Sequence, residues 1–258
     1  MRIHQIFFDI FISLCLINLN INIDVATCNC LDHQQFFLLR LKENLVFNPA
    51  TSKKLVHWNH SGNCCQWNGV TCRKGHNLSL ASNDFNSSIP LKFGKLKNLR
   101  GLNLSNAGFH GQVPAQISHL TKLTTLDLST SLASQNILKF QNPNIGMFFQ
   151  NLTKLTQLYL DGVRVSAEGK KWGCALSSLQ KLKVLSMSSC NISRPIDSSL
   201  SALQRLSVVR LNLNNISGPV PEFFANFSNL NVLELSSCNL SGHFPKDKFQ
   251  MQTLSALD

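Results

Sequence analysis

Residues 99–129 read LRGLNLSNAGFHGQVPAQISHLTKLTTLDLS, and this stretch decides the fold. The spacing L-x-x-L-x-L begins at Leu99 and again, 24 residues later, at Leu123. Apolar residues two apart predict a strand whose leucines point inward while the residues between them point outward. The AGFHGQVP segment between the two copies predicts an irregular turn, because glycine suits tight turns and proline disfavours helix.

The same apolar positions recur through the C-terminal two-thirds of the chain, mostly at a period of 24 residues. The central column consists of Leu78, Leu102, Leu126, Leu158, Leu185, Val209, Leu233 and Leu257. Two flanking columns, three residues earlier and two residues later, are also apolar. The repeat predicts an α/β solenoid of about seven turns, in which each turn adds one strand to a concave parallel β-sheet and contacts only its neighbours.

The spacing exceeds 24 residues twice, between Leu126 and Leu158 and between Leu158 and Leu185. We therefore expect extra loops near residues 132–150 and 166–178, extending outward from the solenoid. Such loops are candidate contact elements, and tolerated insertions are the alternative interpretation.

The N-terminus has the pattern of an export signal. Arg2 precedes an apolar run at residues 6–19 that is too short for an ordinary membrane span, and small residues follow at 25–27. We predict a signal peptide at residues 1–27; an anchor or a buried helix is the alternative. Of the nine cysteines, the eight after the signal peptide would be exposed by export to an oxidising compartment, where closely spaced cysteines indicate a disulfide framework. The cysteines concerned are Cys30, Cys64, Cys65 and Cys72.

The repeat array occupies residues 76–258. We predict that residues 28–75 form a cap that covers its first turn. An amphipathic helix pattern comes first, with apolar positions at Phe36, Phe37, Leu39, Leu41 and Leu45. The segment CCQWNGVTC follows at residues 64–72.

The cap motif, together with turns such as NNISGPVP at residues 214–221, resembles the plant extracellular leucine-rich-repeat receptors. Their cap contains C-C-x-W-x-G-V-x-C and their turns contain N-x-L-S-G-x-I-P. The resemblance implies a right-handed superhelix with a disulfide-bonded helical cap, and it implies the pairs Cys30–Cys64 and Cys65–Cys72. It leaves the pairing of Cys28 and Cys174 open.

In this family the first residue of the turn motif is an inward polar side chain that satisfies unpaired backbone groups. This chain has an amide or an accepted thiol substitute at Asn83, Cys190, Asn214 and Cys238. Ala107 and Val163 cannot form such a bond, so we expect their turns to be looser.

Segments 102–129, 150–169 and 220–242 resemble more closely the receptor-like proteins of the Verticillium-wilt-resistance type. In that group, a long repeat ectodomain, one membrane span and a short tail without a kinase perceive pathogen molecules and signal through partner kinases. The resemblance implies an extracellular ligand-recognition module of a plant immune receptor-like protein. Its partners would be a pathogen-derived peptide or protein ligand and a co-receptor kinase, and the full-length family is single-pass in the plasma membrane.

Neither a C-terminal cap nor a membrane span follows the last strand pattern, so we expect this chain to be an N-terminal ectodomain fragment. Two other functions stay open. The first is a secreted inhibitor of a pathogen cell-wall-degrading enzyme, similar to the polygalacturonase inhibitors, which require a C-terminal cap. The second possibility is a non-functional truncated receptor fragment.

No motif predicts catalysis, a cofactor or a metal site: H-E-x-x-H, G-x-S-x-G and P-loop patterns are absent, and the eight histidines lack ligand spacing. His57, His60 and His76 are expected to be surface residues. Lysine and arginine exceed aspartate and glutamate by 24 to 13, yet the chain shows only scattered pairs such as residues 53–54 and no dense basic cluster. We therefore predict no nucleic-acid partner.

The outward residues of the strands form the candidate ligand-binding set, a mixed polar surface that suits a peptide or protein. These residues are Arg100, Asn103, Asp127, Tyr159, Asp161, Lys183, Arg210 and Glu234. Tyr159 and Arg210 are the first choices.

Nine N-x-S/T sequons suit a glycosylated ectodomain. Asn77 and Asn103 lie beside strand leucines, where a glycan would obstruct the concave surface. The seven predicted glycosylation sites are Asn59, Asn86, Asn151, Asn191, Asn215, Asn226 and Asn239. Of these, Asn151 and Asn226 are favoured.

Overall fold

The computed structural model describes residues 30–72, 76–131, 137–141, 144–165, 167, 169–193, 195–244 and 255–257. The predicted signal peptide at residues 1–27 and the sequence position Cys28 lie outside these residues. Within the described ranges, every helix is too short or too polar to cross a lipid bilayer.

A nine-stranded sheet runs the length of the molecule, with one strand from each turn. The strands are β1 (Val70–Thr71), β2 (Asn77–Ser79), β4 (Gly101–Asn103), β6 (Thr125–Asp127), β8 (Gln157–Tyr159), β10 (Val184–Ser186), β11 (Val208–Arg210), β12 (Val232–Glu234) and β13 (Ala256–Leu257). β1 is antiparallel to β2, whereas all later neighbours pair in parallel. The predicted solenoid and its parallel sheet are confirmed.

The register of this sheet places each leucine of the central column beside its equivalent in the next turn. Leu102 pairs with Leu126, and Leu126 pairs with Leu158, despite the longer connection between them. From residue 78 to residue 233, every member of the column is at most 1% exposed. Burying one large aliphatic side chain contributes about 1.5–3 kcal/mol, so the stacked column contributes substantially to stability.

The opposite side of the solenoid carries a second parallel sheet and short 3₁₀ helices. Its strands are β3 (Ser87–Ser88), β5 (Phe109–Gln112), β7 (Leu138–Phe140) and β9 (Arg164–Val165). The 3₁₀ helices of the array are Leu91–Lys95, Ala115–His119, Ser198–Ala202 and Glu222–Asn226. Proline precedes three of these helices, at Pro90, Pro114 and Pro221, where its fixed φ suits a helix start.

The two long spacings form structure that differs from the outward loops expected from sequence. In the described part of the first, β7 joins the second sheet and α2 (Ile145–Phe149) follows it. In the second, α3 (Gly169–Leu176) replaces a 3₁₀ helix. Phe148, Phe149 and Trp172 are fully buried, so these insertions are part of the core. Aromatic side chains in both segments supply the apolar area that anchors them.

The cap begins with α1 (Asp32–Lys42), and two 3₁₀ helices follow at Lys53–Leu55 and Cys64–Gln66. The structure contains the two implied disulfides, Cys30–Cys64 and Cys65–Cys72, each with a Cα–Cα distance of 5.4 Å. The amphipathic pattern is wrong at one position: Phe36 is 52% exposed, and Leu38 is buried in its place. A helix turns about 100° per residue, so its buried stripe passes through positions 38 and 41, whereas Leu45 is buried beyond the end of the helix.

The cap motif seals the first turn through Trp67 and Gly69. Trp67 stacks on the buried Trp58, with ring centroids 5.2 Å apart. Gly69 has a φ of +85°, and an added Cβ would lie 2.1 Å from the carbonyl oxygen of Ser79. Only glycine permits this approach, in which the Gly69 carbonyl accepts the N–H of Ser79 at 2.7 Å.

A buried polar residue links neighbouring turns, as the family resemblance implies. The Nδ2 of Asn214 donates to the carbonyls of Met187 and Leu211 at 2.8 and 2.7 Å, and its Oδ1 accepts the N–H of Cys190 at 3.0 Å. The Cys190 thiol donates to the Leu160 carbonyl at 3.0 Å. Burial, with the nearby Asp161 charge, holds the pKa of Cys190 well above its ordinary value and so preserves the S–H donor.

Ala107 and Val163, at 2% and 0% exposure, fill the same position with apolar side chains. That their turns are looser stays a prediction. At the first turn, the buried Oδ1 of Asn83 has no hydrogen-bond partner among the described residues, because the preceding element is the cap and not another repeat.

Candidate ligand-binding surface

One column of outward residues crosses the whole concave sheet. Strand register places Ser79, Asn103, Asp127, Tyr159, Ser186, Arg210 and Glu234 side by side. Five of the eight predicted site residues belong to this column. The other three lie elsewhere: Arg100 and Lys183 just before their strands begin, and Asp161 just after β8 ends.

Most polar members of the predicted set are already bonded within the protein. Asn103 accepts the N–H of Ser105 at 2.9 Å, and Asp127 accepts the N–H of Ser129 at 3.0 Å. Asp161 accepts the Ser188 N–H at 2.7 Å and the Ser186 hydroxyl at 2.8 Å. These side chains hold the backbone turn that follows each strand, which is a structural role.

Arg210 and Glu234 form an ion pair, with 2.9 Å between Nε and Oε1. The second carboxylate oxygen of Glu234 accepts the amide of Asn212 at 3.0 Å. The pair is partly exposed, so ligand groups can reach it. Within the described residues, the side chains of Tyr159, Arg100 and Lys183 form no hydrogen bond or ion pair. These three members of the predicted set therefore have no bond within the described residues that a ligand would need to replace.

The structure adds an apolar column that sequence reasoning missed. The residue before each central-column leucine also faces the concave side, and in the later turns it is Val184, Val208 and Val232. All three are half-buried. In the earlier turns the same register holds Asn77, Gly101, Thr125 and Gln157. Aligning the repeats in the sequence would have revealed this change from polar to apolar residues at one repeat position.

An apolar cavity of about 280 Å³ lies at the seam between the cap and the first turns, far from the valines of the later turns. Phe37, Leu38, Val70 and Leu78 line it, with Lys95 near its rim. The Nζ of Lys95 lies 5.9 Å from the Phe37 ring centroid. The cavity is part of the packing between α1 and the array, because its apolar walls are residues of that interface.

Among the described residues, three cysteines form the one cluster with metal-ligand geometry: Cys64, Cys65 and Cys72. All three sulfurs are in disulfides, so the group does not fit a metal ion. His57 and His60 are exposed, and His76 is half-buried.

All seven predicted glycosylation asparagines are exposed in the structure. Asn103, by contrast, is half-buried, and its Oδ1 accepts the hydroxyl of Ser105 at 2.7 Å. Occupancy of the seven sites stays a prediction.

The cap and the stacked strands define a leucine-rich-repeat protein. In agreement with this architecture, residues 31–73 match the leucine rich repeat N-terminal domain, and residues 181–203 and 229–249 match the Leucine Rich Repeat family.

The chain is similar in sequence to several plant receptor-like proteins. Receptor-like protein 6 of Arabidopsis thaliana is 26% identical over 183 residues, which cover 58% of this chain and 18% of that protein. Receptor-like protein EIX1 of Solanum lycopersicum is 26% identical over 214 residues, covering 66% of this chain and 20% of that protein. The chain thus spans about a fifth of the length of these relatives.

Solved structures with the same architecture include receptor ectodomains with bound ligands. The Arabidopsis thaliana GASSHO1/SCHENGEN3 ectodomain in complex with CASPARIAN STRIP INTEGRITY FACTOR 2 has a TM-score of 0.66 and 30% identity over 84% of this chain and 26% of that chain. The plant peptide hormone receptor RGFR1 in complex with RGF2 has a TM-score of 0.60 and 28% identity, covering 70% of this chain and 27% of that chain. A plant ice-binding protein has a TM-score of 0.70 and 25% identity over 89% of this chain and 79% of that chain, so the fold alone does not assign a ligand.

Proposed function

We propose that this chain is the extracellular ligand-recognition part of a plant receptor-like protein and that it binds a peptide or protein segment on its concave sheet. The observation that carries the proposal is the apolar column Val184–Val208–Val232, flanked by the accessible Arg210–Glu234 pair. The peptide-bound state of RGFR1 supports a peptide as ligand class.

The geometry of the apolar column suits an extended segment. Neighbouring strands of a sheet lie about 4.8 Å apart, so three valines provide a row about 10 Å long. An extended peptide lying across the strands would place two alternate apolar side chains along this row, because those side chains repeat about every 6.6 Å. The ion pair beside the valines would then contact polar groups of the same peptide.

The remaining parts of the proposal rest on the resemblance to receptor-like proteins of the wilt-resistance type. The chain would pass through the secretory pathway to the cell surface. In its full-length form the receptor would detect a pathogen-derived ligand and signal through a partner kinase. Ligand-dependent association of the full-length receptor with a receptor kinase in plant cells would test this part.

The peptide-binding part is tested with the full chain secreted from a eukaryotic host. Peptides are selected from a displayed random library, and their affinities are measured by isothermal titration calorimetry. Val208→Asp places a charge in the centre of the apolar column and should weaken the selected peptides by about tenfold or more, equivalent to about 1.4 kcal/mol. Val46→Asp is the matched control, because Val46 is a 79% exposed valine on the cap.

Unchanged peptide affinity in the Val208→Asp variant, with a native melting curve, would refute a concave peptide site. Equal weakening by the Val46→Asp variant would also contradict it, since the effect would then follow charge and not position.

A further inference from the structure

A second surface lies at the edge of the sheet where the strands begin. The chain turns there in the same way in successive repeats. In each turn, the N–H of the leucine two residues before the strand donates to the carbonyl three residues earlier. These N–H···O bonds are Leu123 to Leu120 at 2.9 Å, Leu155 to Leu152 at 3.0 Å, Leu182 to Leu179 at 2.8 Å and Leu206 to Leu203 at 3.0 Å. The backbone therefore presents the third residue of each turn in the same position.

That third residue is a cation in four consecutive turns. The four residues, here called the basic column, are Lys122, Lys154, Lys181 and Arg205. Their sequence separations are 32, 27 and 24 residues, so no basic cluster is visible along the chain. The solenoid stacks them, because each turn lies directly beside the next in the parallel sheet.

Backbone bonds just after the basic column fix this stacking. The N–H of Thr156 donates to the Thr124 carbonyl, that of Lys183 to the Thr156 carbonyl, and that of Ser207 to the Lys183 carbonyl, each at 2.8 Å. Consecutive cations are therefore carried on backbones about one strand spacing, or 4.8 Å, apart. The side chain of Lys122 confirms the closeness of equivalent positions, since its Nζ donates to the Oδ1 of Asn98 in the preceding turn at 2.8 Å.

Within the part of the chain that the structure describes, no acid forms an ion pair with the basic column. All four residues are exposed, and the ion pairs Arg40–Glu43 and Arg210–Glu234 include none of them. Arg100 and Lys183 lie at the same edge and add positive charge. Like charges stacked at this spacing repel one another, and salt screens that repulsion. A stacked row of this kind therefore favours an anionic partner that carries several charges in a line.

The neighbours of the cations indicate which anion fits. Thr121, Thr153, Gln180 and Gln204 occupy the preceding position of the same four turns. Hydroxyl and amide groups hydrogen-bond well to sugar hydroxyls, whereas proteins that bind single-stranded nucleic acid place aromatic side chains for base stacking beside their cations. The turn positions on this edge carry no aromatic residue in these four turns.

We infer that the basic column binds a linear acidic polysaccharide with one carboxylate per sugar, lying along the edge of the sheet. Each carboxylate would meet one cation, and the intervening threonine or glutamine would bond the sugar hydroxyls. Successive sugar rings of such a chain advance by a distance similar to the strand spacing. This site is separate from the concave peptide site, so either can fail alone.

Asn151 bears on this site because it lies three residues before Lys154 and is a predicted glycosylation position. A glycan there would compete with the polysaccharide for the second cation. The test protein therefore carries Asn151→Gln in every variant.

The probe is unesterified oligogalacturonate, titrated by isothermal calorimetry into the full chain at low and at physiological salt. Lys154→Gln with Lys181→Gln removes the centre of the basic column and should weaken binding roughly tenfold, with a shallower dependence on salt. Lys53→Gln with Lys92→Gln is the charge-matched control, since both lysines are exposed and lie outside the basic column. Lys154→Arg with Lys181→Arg should retain binding.

Three results would overturn the inference: equal weakening in the control variant, equal binding of the fully methyl-esterified oligomer, or tighter binding of a single-stranded oligonucleotide of the same charge. The last result would assign the surface to nucleic acid and contradict the prediction made from sequence. Retained peptide binding in the Gln variants would show that the concave site is intact.

Discussion

The concave face and the basic edge are built from the same repeats, yet their charged side chains differ in whether they have partners within the protein. On the concave face, Glu234 pairs with Arg210 and Asp127 accepts the N–H of Ser129, so each acid of the column has a partner within the protein. On the edge, four cations occupy equivalent turn positions without an acid among them. In a solenoid, the residues at one repeat position form a continuous row, because the register places equivalent residues side by side.

The comparison teaches that the two surfaces suit different kinds of partner. The concave face offers apolar contact and a paired charge, which favours shape and side-chain recognition. The edge offers unpaired charge in a line, which favours a repetitive anion and should depend strongly on salt.

The largest expected effect comes from the buried amide that supports both surfaces. Asn214→Ala removes the bonds to Met187, Leu211 and Cys190 and leaves their backbone groups unpaired. We expect the free energy of unfolding to fall by about 3 kcal/mol, measured by chemical denaturation. Asn214→Cys should lose less, since the thiols of Cys190 and Cys238 already serve at equivalent positions. Equal losses for both variants would contradict the proposed role of the donor.

A smaller effect is expected from the concave ion pair. Glu234→Gln removes its charge while keeping its shape, and because Arg210 is 38% exposed the loss of stability should be below about 1 kcal/mol. Glu222→Gln is the control, because Glu222 is an exposed acid on a 3₁₀ helix. If Glu234→Gln costs more than about 2 kcal/mol, the pair is structural and is not available to a ligand.

The smallest effect should appear on the basic edge. Lys181→Glu replaces repulsion from Lys154 and Arg205 with attraction, so the chain should become more stable by up to about 0.5 kcal/mol at low salt. Lys181→Gln should show about half of that gain. Both gains should vanish at high salt, where charges one strand spacing apart are screened. Destabilisation by Lys181→Glu at low salt would show that the column's repulsion is already neutralised.

The fold was predictable because its determinants are local and repeated. Leu102, Leu126 and Leu158 specify inward strand positions from sequence alone, and the cap motif specifies both disulfides through the family resemblance. The long spacings were less predictable. Phe148, Phe149 and Trp172 carry no repeat signal, and their burial depends on the packing of α2 against α3.

The candidate site was predictable only in part. Asn103, Asp127 and Glu234 lie in one column, since the parallel register places equivalent repeat positions side by side, but their role in binding stays a prediction. Their availability to a ligand depends on neighbouring turns, which supply the groups that bond them. Tyr159 keeps its place as a candidate because no described neighbour engages its hydroxyl.

By itself, the sequence determined the repeat, the inward leucines, the capped first turn and the absence of a recognised catalytic motif. Those features follow from periodicity and from residue chemistry within a single turn. Only the tertiary structure determined which charged side chains lie next to one another. Lys122, Lys154, Lys181 and Arg205 are far apart along the chain, and they form one surface only because parallel strands stack at a fixed spacing.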